Sequence, residues 1–162
     1  MLFSPYMPVS HFEHNFYALC LQKGVTVFSL KQDTKQDIGK DKKIKNIDFI
    51  CYSNSKIFLI DVKGTSNLSG DTKVSTEDIK VMKYLQGLFG KNAVGLFVYF
   101  WSDAIHFQED KEIMLQEFKI KAIDVDLFNA NKKLQTGWGN KFYRCPREIV
   151  KNIWDYIPEF KP

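Results

Sequence analysis

The chain has 162 residues, a net charge of +4, an apolar fraction of 44% and a charged fraction of 26%. That balance predicts one globular domain, residues 1–162, with a single core, and excludes a disordered or low-complexity polymer. No apolar run reaches the ~20 residues of a membrane-spanning helix, and Met1–Ser10 lacks the basic start and apolar stretch of a signal peptide. Cys20, Cys51 and Cys145 are too few and too widely spaced for a disulfide framework or a zinc site, which points to a reducing, cytoplasmic setting.

Ser10 can cap a helix from His11 to about Gln22, with Phe12, Phe16 and Leu19 on one face and Gly24 at its end. Val25–Leu30 reads as a strand, and Lys31–Lys45 as a polar, lysine-rich connection around Gly39. Two strands follow, Ile47–Tyr52 and Ile57–Val62, joined by a turn at Ser53-Asn54-Ser55-Lys56. Gly64–Ser75 is rich in Ser, Thr, Asn and Gly and reads as a loop. Ser75 or Thr76 caps a second helix from Glu77 to about Phe89, with Asp78 in its first turn.

Ala93–Trp101 is an apolar strand, and a short strand is predicted near Ile105–Phe107. Lys111–Phe118 reads as helix and Ile120–Val125 as strand. Pro146, followed by Ile149, Ile153 and Ile157, predicts a final amphipathic helix. The order implies an α/β domain around one central mixed β-sheet flanked by helices.

The positive charge is unevenly spread. Residues 132–151 hold six cations (Lys132, Lys133, Lys141, Arg144, Arg147, Lys151) against Glu148, with Trp138, Phe142 and Tyr143 among them. Such a segment can track a nucleic-acid backbone while an aromatic ring stacks on a base; it can equally be a solvated face over core aromatics. Residues 31–45 carry six further lysines against three aspartates. His11 and His14 are spaced for one helix face but read as partly exposed residues, and His106 as structural.

Register carries the strongest inference. If the hairpin turns symmetrically about Asn54-Ser55, Tyr52 faces Ile57 and, further along the ladder, Asp48 faces Asp61. Lys63 then points to the same side as Asp61. Both faces of the hairpin are apolar, so it should be buried. Two facing carboxylates near a core are destabilising unless something offsets them, and a divalent cation together with Lys63 would do so.

Asp48, twelve residues, then Asp61-Val62-Lys63 within IDFICYSNSKIFLIDVKGTS resembles the PD-(D/E)XK nuclease superfamily, and the Asp-Val-Lys-Gly-Thr ending resembles its Holliday-junction-resolvase and restriction-endonuclease branches. The resemblance covers roughly residues 10–101; Ile47 stands where the motif has proline. It implies a restriction-endonuclease-like core and Mg²⁺-dependent hydrolysis of DNA, with Mn²⁺ able to substitute. Asp48, Asp61 and the Val62 carbonyl would hold the metal, and Lys63 would orient water or stabilise charge. Glu13 is the candidate for the acid that this family often places on its first helix. Ser10-x-x-Glu13 also fits a capping box, in which Glu13 serves its own helix terminus. Lys141, Arg144, Arg147 and Trp138 are the candidate DNA contacts, and a homodimer is implied. The rival expectation is a non-catalytic nucleic-acid-binding or interaction module that keeps the nuclease fold.

Overall fold

The computed structural model describes residues 11–30, 35–65, 72–102, 118–135 and 141–162. Helix α1 (His11–Lys23) leads through Gly24, at φ 73°, into strand β1 (Thr26–Ser29). Strands β2 (Lys35–Asp37) and β3 (Lys43–Lys45) follow, then β4 (Phe49–Ser53), β5 (Lys56–Thr65), β6 (Thr72–Ser75) and helix α2 (Thr76–Phe89). The chain continues through β7 (Ala93–Ser102), β8 (Phe118–Asp124), helix α3 (Val125–Asn131), β9 (Lys133–Leu134), β10 (Phe142–Cys145) and β11 (Lys151–Asn152). Short 3-10 turns at Arg147–Ile149, Ile153–Asp155 and Pro158–Phe160 complete it.

The main sheet has the order β1-β4-β5-β7-β8-β11. Its β5–β7 pair is parallel and the others are antiparallel, so the sheet is mixed, as expected. The parallel pair needs a crossover, which α2 supplies. Alternation along β4, β5 and β7 sends apolar side chains to both faces, so the centre of the sheet is covered twice. On one face α1 and the C-terminal turns pack Phe16, Phe58, Val98, Phe100 and Ile157. On the other, α2 and α3 pack Leu59, Met82, Phe97, Tyr99 and Phe128.

Helix α2 lies close to the sheet. A β-carbon on Gly95 would come within 2.4 Å of Met82 Cγ, so glycine permits that approach. Ser75 caps α2 by accepting from the Asp78 N–H at 3.0 Å.

Five expectations are corrected. Residues 35–45 of the polar connection form an antiparallel hairpin, turned through Gly39 and Asp41, which both have positive φ. The end of the Gly64–Ser75 stretch is strand β6, paired with β10 and, through it, with β9 in a second small sheet. The final helix does not form. Residues 151 and 152 extend to pair with β8, and Val, Asn, Ile, Trp and Tyr in that run are middling helix formers. Ile153 and Ile157 still reach the core, but from 3-10 turns.

The β4–β5 hairpin is not buried throughout: Tyr52 is 48% exposed, because β4 has only the edge strand β1 beyond it. Ile47 packs with Leu59 rather than with Phe49 and Cys51, because the ladder slips beyond Phe49. Helix α3 was missed, although Asp124 caps it by accepting from the Leu127 N–H at 2.8 Å. The three cysteines are buried and none is in a disulfide. Among the described residues no helix is long and apolar enough to cross a membrane. The elements predicted for 105–107 and 111–117, together with His106, lie outside the described residues.

Candidate active site

The β4–β5 hairpin sets the site. Asn54 and Ser55 both have positive φ (50° and 63°), the signature of a two-residue turn matched to strand twist. Pairing then runs from Ser53↔Lys56 through Tyr52↔Ile57 to Phe49↔Ile60, the register expected from the sequence. At Asp48 the ladder changes. Its N–H donates to the Ile60 carbonyl at 3.0 Å and its carbonyl accepts from Leu30 at 3.0 Å, which locks its backbone between β1 and β5. Its carboxylate accepts the Val62 N–H at 2.7 Å. The slip therefore folds the Asp48 side chain onto β5, into hydrogen-bonding contact with the Asp61 carboxylate.

Lys63 follows two residues on. Its ammonium lies 2.8 Å from Asp61 Oδ2, and it also pairs with Asp78 Oδ2. The aromatic ring of Phe97 lies beneath it, 5.7 Å from the nitrogen. Register between β5 and β7 shifts between Val62 and Thr65, so the irregularity falls beside Lys63, where such bulges commonly re-aim a side chain. Asp78 comes from the first turn of α2, and its other oxygen, Oδ1, accepts from Lys45 on β3 at 3.3 Å. One carboxylate thus holds two lysines from different elements.

The electrostatics follow from this crowding. Burial, then the Asp61 charge and, less strongly, Glu13 push the Asp48 carboxyl up to about 8, although the Val62 N–H works against them. Burial alone would lower the Lys63 ammonium; Asp61 and Asp78 outweigh it, so its pKa is raised. Burial would raise Asp78, but Lys63 and Lys45 hold it below the ordinary carboxylate value.

Glu13, half-buried on α1, is close enough to Asp48 to act on its charge. Its alternative role as a helix cap involves Ser10, which lies outside the described residues. His14 is exposed. Asp78 is the member of the cluster that the sequence reading missed. Ser75-x-x-Asp78 looks like an ordinary helix start, and only the fold of β3 and β5 brings two lysines to it.

The basic segment divides. Lys141 and Arg144 are exposed, and Arg144 pairs in register with Lys73 on one side and Lys133 on the other, which places three cations in a row across the small sheet. Arg147 lies over the Trp101 ring, 4.3 Å from its centre. Trp138 lies outside the described residues.

Among the described residues no three His, Cys, Asp or Glu side chains stand together as a ready metal cage. Mg²⁺ needs no such cage. It is typically held by one or two carboxylates, with water and substrate phosphate completing its shell. Asp48 and Asp61, an adjacent pair of hard oxygen donors in a largely buried setting, with the Val62 carbonyl next to Asp61 in sequence, fit that requirement.

No family model matches the chain, and no curated protein sequence matches it. Among solved structures it is similar to Hjc, a Holliday junction resolvase from the archaeal hyperthermophile Archaeoglobus fulgidus. The match has a TM-score of 0.56 at 10% identity and covers 89% of this chain and 90% of that one. At that identity the likeness is one of fold, and it agrees with the resemblance carried by Asp48, Asp61 and Lys63. The chain shares the α/β fold of that Holliday junction resolvase.

Proposed function

We propose that the chain is a Mg²⁺-dependent DNA endonuclease with Asp48, Asp61 and Lys63 as its catalytic centre. The observation that carries this reading is the contact between the Asp48 and Asp61 carboxylates, with the Lys63 ammonium 2.8 Å from Asp61. A buried pair of like charges is costly to keep for structure alone. Asp48, Asp61 and the Val62 carbonyl hold the metal, and Mn²⁺ substitutes for Mg²⁺. When bound, such a cation acts as a Lewis acid toward the scissile phosphate and activates a water. Lys63, positioned by Asp61 and Asp78, stabilises the charge that builds on the phosphate oxygens. Asp48 must give up its proton for the site to load, and Glu13 stands beside it to bind or to accept a proton.

The DNA backbone is held by Lys141, Arg144 and Arg147, with Trp138 stacking on a base. Like charges directly opposite one another in a sheet are unfavourable, so the Lys73–Arg144–Lys133 row fits a surface that meets a polyanion. Two active sites in a homodimer would cut two strands.

The test is a cleavage panel over linear duplex, four-way junction, single-stranded DNA and RNA, in Mg²⁺ and in EDTA, with Asp61→Ala as control. Cleavage of a DNA substrate that is lost both in EDTA and in the variant is expected. The second reading, a binding module without turnover, is favoured by one observation: Lys63 is engaged by two carboxylates at once. It predicts DNA affinity with no cleavage in any arm.

A further inference from the structure

We infer that the β2–β3 hairpin is a phosphate clamp that grips the nucleic-acid strand beside the site; this rests on the reading of the site as one that meets DNA. Residues 35–45 carry Lys35, Lys40, Lys42, Lys43 and Lys45 against Asp37 and Asp41, a local net charge of +3 (five minus two). Register places Lys35 directly opposite Lys45, and Lys43 two residues from Lys45 opposite Asp37. Lys35, Lys43 and Lys45 therefore share one face of the hairpin, since side chains alternate along a strand. Gln36 and Ile44 take the other.

That lysine face is the one aimed at the site. Lys45 reaches Asp78 at 3.3 Å, and Asp78 holds Lys63 with its other oxygen. A phosphate adjacent to the scissile one would arrive within reach of Lys45, and the strand would then run outward past Lys35 and Lys43.

Two features fit a gripping role better than a structural one. An isolated two-stranded hairpin is marginal in water, and two like charges facing each other weaken it further. Two polar contacts tie it to neighbouring elements: Gln36 Nε2 donates to Asn46 Oδ1 at 3.0 Å and Lys45 pairs with Asp78. The Lys43–Asp37 pair, at 3.8 Å with both side chains exposed, offsets little of that charge. A polyanion would neutralise the Lys35–Lys45 repulsion and substitute for Asp78 as the partner of Lys45.

The test is the salt dependence of binding to a short duplex oligonucleotide in Ca²⁺, a hard cation with the same preference for oxygen. Wild type is compared with Lys35→Gln/Lys43→Gln/Lys45→Gln and with a charge-matched control, Lys56→Gln/Lys91→Gln/Lys161→Gln, at exposed lysines off the hairpin. The hairpin variant should lose about two to three units of the slope of log K against log salt, at about 0.9 per phosphate contact, while the control keeps the wild-type slope. All six positions are exposed, and melting curves verify that both variants fold. A hairpin variant with the wild-type slope, or equal losses in both variants, overturns the clamp while leaving the nuclease reading intact. Binding with the expected slope change but no cleavage in Mg²⁺ supports the clamp and sinks the nuclease reading. A wild type that binds no DNA overturns both.

Discussion

The two hairpins next to each other in the chain, β2–β3 and β4–β5, each set like charges close together, in opposite surroundings. In β4–β5 the pair is Asp48 and Asp61, and Asp48 is only 7% exposed. In β2–β3 it is Lys35 and Lys45, in solvent. Water screens the lysines, which softens their repulsion, and Asp78 answers Lys45 from one side only. The carboxylates have little water, so the fold answers them with a proton on Asp48, the Val62 N–H and the Lys63 ammonium. Asp78 joins the two systems by holding one lysine from each. Depth converts a like-charge pair from a binding surface into a site that demands a cation.

The largest effect should come from breaking the buried pair. Asp61→Asn should lower Mg²⁺-dependent cleavage on the order of a hundredfold or more, through lost metal affinity and lost orientation of Lys63. Its metal-free melting temperature should fall at neutral pH, since Asp48 already carries a proton there and the largely buried Lys63 ammonium loses one of its two carboxylate partners. Steady-state cleavage and a thermal melt on the same preparation check both halves.

Gly95→Ala acts on the element that links the hairpins. Its methyl would meet Met82 under α2, so overpacking should cost about 1–3 kcal/mol, read as a lower denaturant midpoint.

The pH dependence of metal-free stability sharpens the contrast in depth. Asp48 is raised to about 8 in the folded chain from an ordinary value of 3.8. Between those values the folded state keeps a proton that the unfolded state releases, so stability should fall as pH rises through the window and level off above it. Asp78, lowered, contributes stability present above its unfolded value and lost only in acid; Lys63, raised, contributes stability lost only in strong alkali. Asp48→Asn should therefore flatten the slope between about pH 4 and 8 in a urea series. Mg²⁺ affinity should rise with pH over the same range, since the metal takes the deprotonated carboxylate.

The smallest effect belongs to the exposed side. Lys45→Gln should change stability by no more than about 1 kcal/mol, because its ion pair is more than half exposed on the lysine side.

Much of this contrast was legible in the sequence. A period of two along Phe49–Ser53 and Lys56–Val62, with a two-residue turn between them, determines a register, and that register carried the expectation that Asp48 meets Asp61. The slip at Asp48 was not legible, because a bulge arises from side-chain and backbone hydrogen bonds that the hydrophobic pattern does not encode. Asp78 was visible as a helix-start acid but not as a partner of Lys63, a contact that depends on how α2 packs across β5 and β7. The β2–β3 hairpin was hidden for a different reason: a lysine-rich run with little apolar alternation looks like a connection, and its strands pair without a core of their own. Ile153 and Ile157 kept their burial and lost their helix, because β8 offered residues 151 and 152 backbone partners that a periodicity argument does not count.

The claim that the buried pair is a cation site is tested most directly by the shift in melting temperature on adding Mg²⁺, measured for wild type and for Asp48→Asn/Asp61→Asn. Wild type should be stabilised in proportion to the logarithm of Mg²⁺ concentration above its dissociation constant, and the double variant should not respond. Equal stabilisation of the two proteins would contradict the account.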